Sequence, residues 1–242
     1  MSRLFKQLTL ALALLAMIVP AVGQTFGNPT SHRVGVETIV VPTPTNFLET
    51  SKNAPEMWES AKTFTTASVR VLAHYAPESE LKTFIAGGEV RLSQYMYVQT
   101  PVRAEGIATT QAQFDKLRTG VIALQNDIAA KISPKLKEEV ARASKEFGAR
   151  QGEPISVKFG EIAPLSIDRN DTKALIYTTL MSVASSQSDA SHEGNILSST
   201  AFIFAKGKVL TLSVNRVMNS PRDVQIVRSF ASEWVSAILA AN

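Results

Sequence analysis

Residues 202 to 216 read FIFAKGKVLTLSVNR. Two runs of alternating apolar and polar residues flank Ala205-Lys206-Gly207-Lys208, and that pattern predicts a β-hairpin. Strands joined in this way run antiparallel, so the stretch ties the C-terminal third of the chain to a meandering sheet. Ile155 to Ile162, Thr172 to Val183 and Asn195 to Ala205 also read as strands, with Asp168-Arg169-Asn170-Asp171 as a hairpin turn. After Lys208 to Val217, Ser220-Pro221-Arg222-Asp223 places an N-cap, a first-turn proline and an N3 carboxylate in order. The helix that follows carries Val227, Phe230, Ala231, Trp234, Val235 and Ile238 on one face.

The middle of the chain mixes strands and helices. Val34 to Val41 is rich in β-branched residues and reads as one strand, which Pro42 and Pro44 end. Pro55 to Phe64 has helical spacing, and Val69 to Tyr75 alternates with Val69, Val71, Ala73 and Tyr75 on one face. Pro77 to Ile85 reads as a helix stopped by Gly87-Gly88, and Val90 to Val98 as a strand. A long helix is predicted over Thr110 to Ile132, with Phe114, Leu117, Val121, Leu124, Ile128 and Ile132 forming a stripe. A second helix runs from Ser133-Pro134 to Phe147, with Gly148 as its cap. No repeat or composition break divides residues 34 to 242, which predicts a single α+β domain: a largely antiparallel sheet covered by amphipathic helices. Residues 24 to 33 read as a flexible lead-in.

This order, with the hairpin at 202 to 216 running into the helix after Ser220, resembles the PsbP-like family of extrinsic proteins. The resemblance implies an α/β/α sandwich. That family includes members with and without known ligands, several of them secreted bacterial proteins with no assigned activity, so it assigns a role to no residue here.

The N-terminus predicts location. Arg3 and Lys6 precede twelve apolar residues, Leu8 to Val19; Pro20 follows, and Ala21-Val22-Gly23 supplies small residues for a cut. This is the layout of a secretory signal peptide, and twelve residues are too few for the roughly 20 of a membrane span. Cleavage between Gly23 and Gln24 would leave no stable membrane anchor and a chain in the periplasm or, as the alternative, outside the cell. Removing Arg3 and Lys6 lowers the formal charge from +4 to about +2, too little for a nucleic-acid footprint. The chain has no cysteine, which excludes disulfides, a thiolate nucleophile and cysteine-ligated metal.

Few motifs carry chemistry. His192, with Asp189 and Glu193 nearby, has the makings of a small metal-binding loop but lacks a second histidine at ligand spacing, so it reads as a strand connection. No serine stands in G-x-S-x-G or S-x-x-K, and Gly87-Gly88 lacks the spacing of a phosphate loop. Lys131 to Arg150 holds six basic residues against three Glu, but i,i+4 pairs such as Arg142–Glu146 describe a solvated helix face. One constellation stands out. Opposite the apolar sets, alternation places Arg70 and His74 on one side of their strand, and Arg91, Tyr95 and Tyr97 on one side of theirs. Paired in register, these five would share a surface for a ligand or partner, because Arg and Tyr combine contact area with hydrogen bonds. The sequence therefore predicts a secreted binding module with no cofactor, serving an unidentified protein or small-molecule partner in the cell envelope. The alternative is a cofactor-free hydrolase, which would bring His74 or His192 to a serine and a carboxylate in a deep pocket.

Overall fold

In the computed structural model the Lys206-Gly207 turn has φ of +47° and +67°, the pairing that a tight hairpin with native twist requires. The structure describes residues 25–128, 134–151, 155–187 and 190–242; the leader and its cut site lie outside them. The fold is α+β. Seven antiparallel strands form one sheet in the order β3-β4-β5-β9-β8-β7-β6. They are β3 (Phe47–Glu49), β4 (Val69–Pro77), β5 (Gln94–Pro101), β6 (Ile155–Asn170), β7 (Ala174–Gln187), β8 (Ala190–Ala205) and β9 (Lys208–Val217). The helices are α1 (Thr50–Asn53), α2 (Pro55–Thr63), α3 (Glu78–Ile85), α4 (Val102–Glu105), α5 (Gln111–Ile128), α6 (Pro134–Gln151) and α7 (Arg222–Ala240).

One sheet face is closed and apolar. Helix α7 buries Val227, Phe230, Ala231, Trp234, Val235 and Ile238 against Met96, Val98, Ile203, Leu212 and Val214. Fully burying a side chain of this size contributes about 1.5–3 kcal/mol, so this seam supplies most of the core. Trp234 also donates its indole N–H to the Pro42 carbonyl at 2.7 Å. At the start of the helix, Asp223 accepts from Arg216 Nε at 2.6 Å and also from the Ser220 N–H at 2.7 Å, which holds its carboxyl down to about 2.

Several elements depart from the sequence reading. Residues 24 to 33 are not a flexible lead-in throughout. Thr30–Val34 forms β1, paired antiparallel with β2 (Glu37–Val41), and Phe26 packs on the core. The expected single strand from Val34 is broken because Gly35, at φ +61°, turns the chain. Gly148 does not cap its helix; α6 continues to Gln151. On α5 the stripe rotates, so that Gln125 is buried while Leu124 is exposed.

Strand β5 begins at Gln94, four residues later than expected. The Glu80 carboxylate takes both the N–H and the hydroxyl of Ser93, holding that segment out of the ladder. In β4 the register slips between Val71 and Ala73. Leu72 is the extra residue of a β-bulge, and a one-residue bulge reverses the facing of everything beyond it. Ala73 and Tyr75 accordingly pair with Val98 and Met96 on the closed face, while Val71 pairs with Gln99 on the other.

Candidate functional site

The second sheet face carries a polar patch around β5 and β9, with Phe202 and Phe204 further along β8, and α2, α5 and α6 cover it incompletely. On β5, Tyr95, Tyr97 and Gln99 alternate with the buried Met96 and Val98. Register carries this polarity across the sheet. His74 pairs with Tyr97, Tyr97 with Ser213, and Ser213 with Thr200, so four strands contribute one continuous row. A parallel row joins Tyr95, Asn215 and Ser198. Above these rows lies a cavity of about 570 Å³. Its floor is the two rows, with Val157, Val183 and Ile196 at the β6-β7-β8 end; its other wall is mostly apolar, with Met57, Ala61 and Phe64 from the α2 segment and Leu92 from the link before β5, beside the Ser60 and Thr65 hydroxyls. That volume falls in the range of about 300–1,000 Å³ found for small-molecule sites.

Three rings form the aromatic corner. His74 and Tyr97 have centroids 4.7 Å apart, and Tyr95 meets Tyr97 edge-to-face at 5.9 Å. His74 is 2% exposed, and burial lowers its pKa to about 4, so the imidazole is neutral at pH 7. The Thr50 hydroxyl lies 3.1 Å from His74 Nδ1 and 3.3 Å from the His74 carbonyl. Both contacts are satisfied together when the hydroxyl donates to the carbonyl and Nδ1–H donates to the hydroxyl oxygen, which leaves Nε2 as the ring's acceptor. Burial pushes the Tyr95 phenol up to about 12 and raises Tyr97 further. Among the described residues no protein group bonds either phenol hydroxyl, and no Asp, Glu, Lys or Arg lines the cavity. The arrangement stacks rings and exchanges neutral hydrogen bonds. It offers no carboxylate to orient His74 as a base.

Of the five residues expected together, the structure joins three. His74, Tyr95 and Tyr97 line the cavity. Arg70 does not, because the bulge at Leu72 puts it across from Thr100 on the opposite face. There its guanidinium is held by the Glu105 carboxylate at 2.7 and 3.0 Å and by the Arg33 carbonyl. Arg91 sits on the exposed link that precedes β5 and is absent from the cavity wall. The sequence reading missed Ser198, Thr200, Ser213 and Asn215. Each is the polar half of an alternating strand, and their sum emerges once β9 and β8 are known to follow β5. Asp189 of the suggested metal loop and the side chain of His192 lie outside the described residues; the backbone of His192 pairs with Ser185. Among the described residues no cluster of three or more His, Asp or Glu stands at metal-binding distance.

No family model and no curated protein matches the chain. Among solved structures it is similar to the Ran-binding protein Mog1p of Saccharomyces cerevisiae, at 11% identity and a TM-score of 0.35, covering 89% of this chain and 94% of that one. A point mutant of protein Mog1 gives 11% identity and a TM-score of 0.33, over 88% and 94%.

Proposed function

We propose that this chain is an exported, non-catalytic binding module whose cavity takes a small molecule in the cell envelope. The observation that carries this reading is the cavity of about 570 Å³ floored by His74, Tyr95 and Tyr97 and lined by no ionised group among the described residues. A cofactor-free hydrolase would need a carboxylate beside the histidine and a base whose pKa lies near neutrality. His74 has no such carboxylate among the described lining residues, takes up its proton only near pH 4, and is tied to Thr50. The leader at residues 1 to 23 supports export to the periplasm, and the resemblance to PsbP-like extrinsic proteins belongs to the same reading. Among the described residues no helix is long and apolar enough to cross a membrane.

Protein recovered from the periplasm or the medium tests both halves. Intact mass should correspond to a chain beginning at Gln24. Native mass spectrometry should show a retained small molecule that Tyr97→Ala loses while Arg70→Ala and Arg91→Ala keep it. A chain retaining residues 1 to 23 refutes export. An occupant lost equally from all three variants refutes the cavity as its site.

A further inference from the structure

We infer that the cavity selects an uncharged amphipathic molecule, with its apolar body under α2 and a hydroxyl- or carbonyl-bearing edge on the β5-β9-β8 rows. This rests on the binding reading above and adds the chemistry of the ligand. The two walls differ in kind. On the α2 side Met57, Ala61, Phe64 and Leu92 present carbon or thioether, and the Ser60 and Thr65 hydroxyls donate back to the Glu56 and Ala61 carbonyls, so this side suits an aliphatic or ring body. Val157, Val183 and Ile196 make the β6-β7-β8 end of the facing sheet apolar; around β5 and β9 it presents the phenols of Tyr95 and Tyr97, the hydroxyls of Ser198, Thr200 and Ser213, and the Asn215 amide, which also donates to Ser213. Those groups donate and accept in equal measure, which suits a ligand edge able to do both.

Charge is disfavoured on either sign. A carboxylate or ammonium leaving water for this cavity would find no counter-charge among the described lining residues. Lys62 on α2 is 2.6 Å from Glu59, and Arg70 is held on the opposite sheet face by Glu105. Phe64, 40% exposed at the end of α2, gives the mouth an apolar rim. A neutral molecule with one polar edge is what remains.

The test uses the mature chain at pH 7 and Nile red, an uncharged dye that brightens in apolar surroundings. Dye emission should rise with wild-type protein and fall back with Tyr97→Ala. Displacement is then compared for 1-decanol, decanoate and decyltrimethylammonium, which share a chain and differ in head-group charge. Decanol should displace the dye at a concentration at least about tenfold lower than either ion, the factor that corresponds to 1.4 kcal/mol. An ion that equals or outcompetes decanol overturns the uncharged class while leaving the binding reading intact. A second comparison addresses the polar edge. 1,2-Decanediol, though more water-soluble, should bind at least as tightly as decanol, because the rows receive its extra hydroxyl; weaker binding overturns that half. If emission does not rise, or rises equally with Tyr97→Ala, the cavity is not a binding site and both readings fail.

Discussion

A histidine whose ring is surrounded by two tyrosines and a threonine hydroxyl cannot hold a proton cheaply, and the consequence reaches beyond the cavity. Burial lowers His74 from 6.5 to about 4. In the unfolded chain the ring takes up its proton as pH falls through about 6.5, while the native chain resists until about 4. Between those values the unfolded state binds more protons, so stability falls as pH drops through the window and levels off below it. The shift corresponds to about 3 kcal/mol at 1.36 kcal/mol per unit. His32, also lowered by burial, adds to the decline with the same sign. His74→Gln keeps a hydrogen-bonding partner for Thr50 without a titrating group. Denaturant unfolding at pH 7, 5.5 and 4 should show the variant losing about 3 kcal/mol less than wild type over that span. Parallel stability curves would mean that His74 is not the group responsible.

At the scale of elements, alternation in the sequence was enough to place Tyr95 and Tyr97 on one face and to separate them from Met96 and Val98. It also grouped His74 with them, although for a partly mistaken reason. Arg70 was expected beside His74 because they lie four positions apart, an even spacing, and the bulge at Leu72 breaks that parity. Nothing in VRVLAH announces an extra residue, since its cause is the pairing with β5 and not the propensity of the strand itself. The Gly35 turn was hidden in a similar way inside a β-branched run. Gly35 also bears on how the hairpin β1-β2 meets α4. A Cβ there would stand 1.9 Å from the Glu105 carbonyl oxygen. That oxygen cannot retreat, because the buried Lys208 ammonium donates to it at 2.8 Å and to the Ile107 carbonyl at 2.9 Å. Gly35→Ala therefore combines a backbone clash with a left-handed φ, and should cost at least about 2 kcal/mol. Gly106→Ala, with nothing within 4 Å of its Cβ, is the matched control and should leave the midpoint within a degree or so. Equal midpoints for the two variants would show that the hairpin moves freely against α4.

Across the whole molecule the two faces of one sheet carry different duties. The α7 face is filled by Leu, Val, Met and Trp side chains and leaves no room. The other face keeps hydroxyls and phenols beneath a mostly apolar wall and borders an open cavity of about 570 Å³. Neutral polar groups in such a space need partners, and water or a ligand must provide them where protein does not. A fold optimised for stability alone would close this space, so filling it should separate stability from binding. Ala61 is the position to use: it is 5% exposed, lies on the cavity wall, and sits in α2, where leucine is nearly as good a helix former as alanine. Ala61→Leu adds carbon on the cavity wall and leaves the hydrogen-bonding groups of the Tyr97 row in place. The variant should gain about 1 kcal/mol in denaturant unfolding, as cavity-filling changes do, and should lose most Nile red emission. Tyr97→Ala should lose the emission too but fall in stability, because it removes the ring that His74 packs against. If Ala61→Leu instead lowers stability while dye binding persists, the leucine has been forced into packed protein, and the cavity is neither open there nor the place where the dye binds.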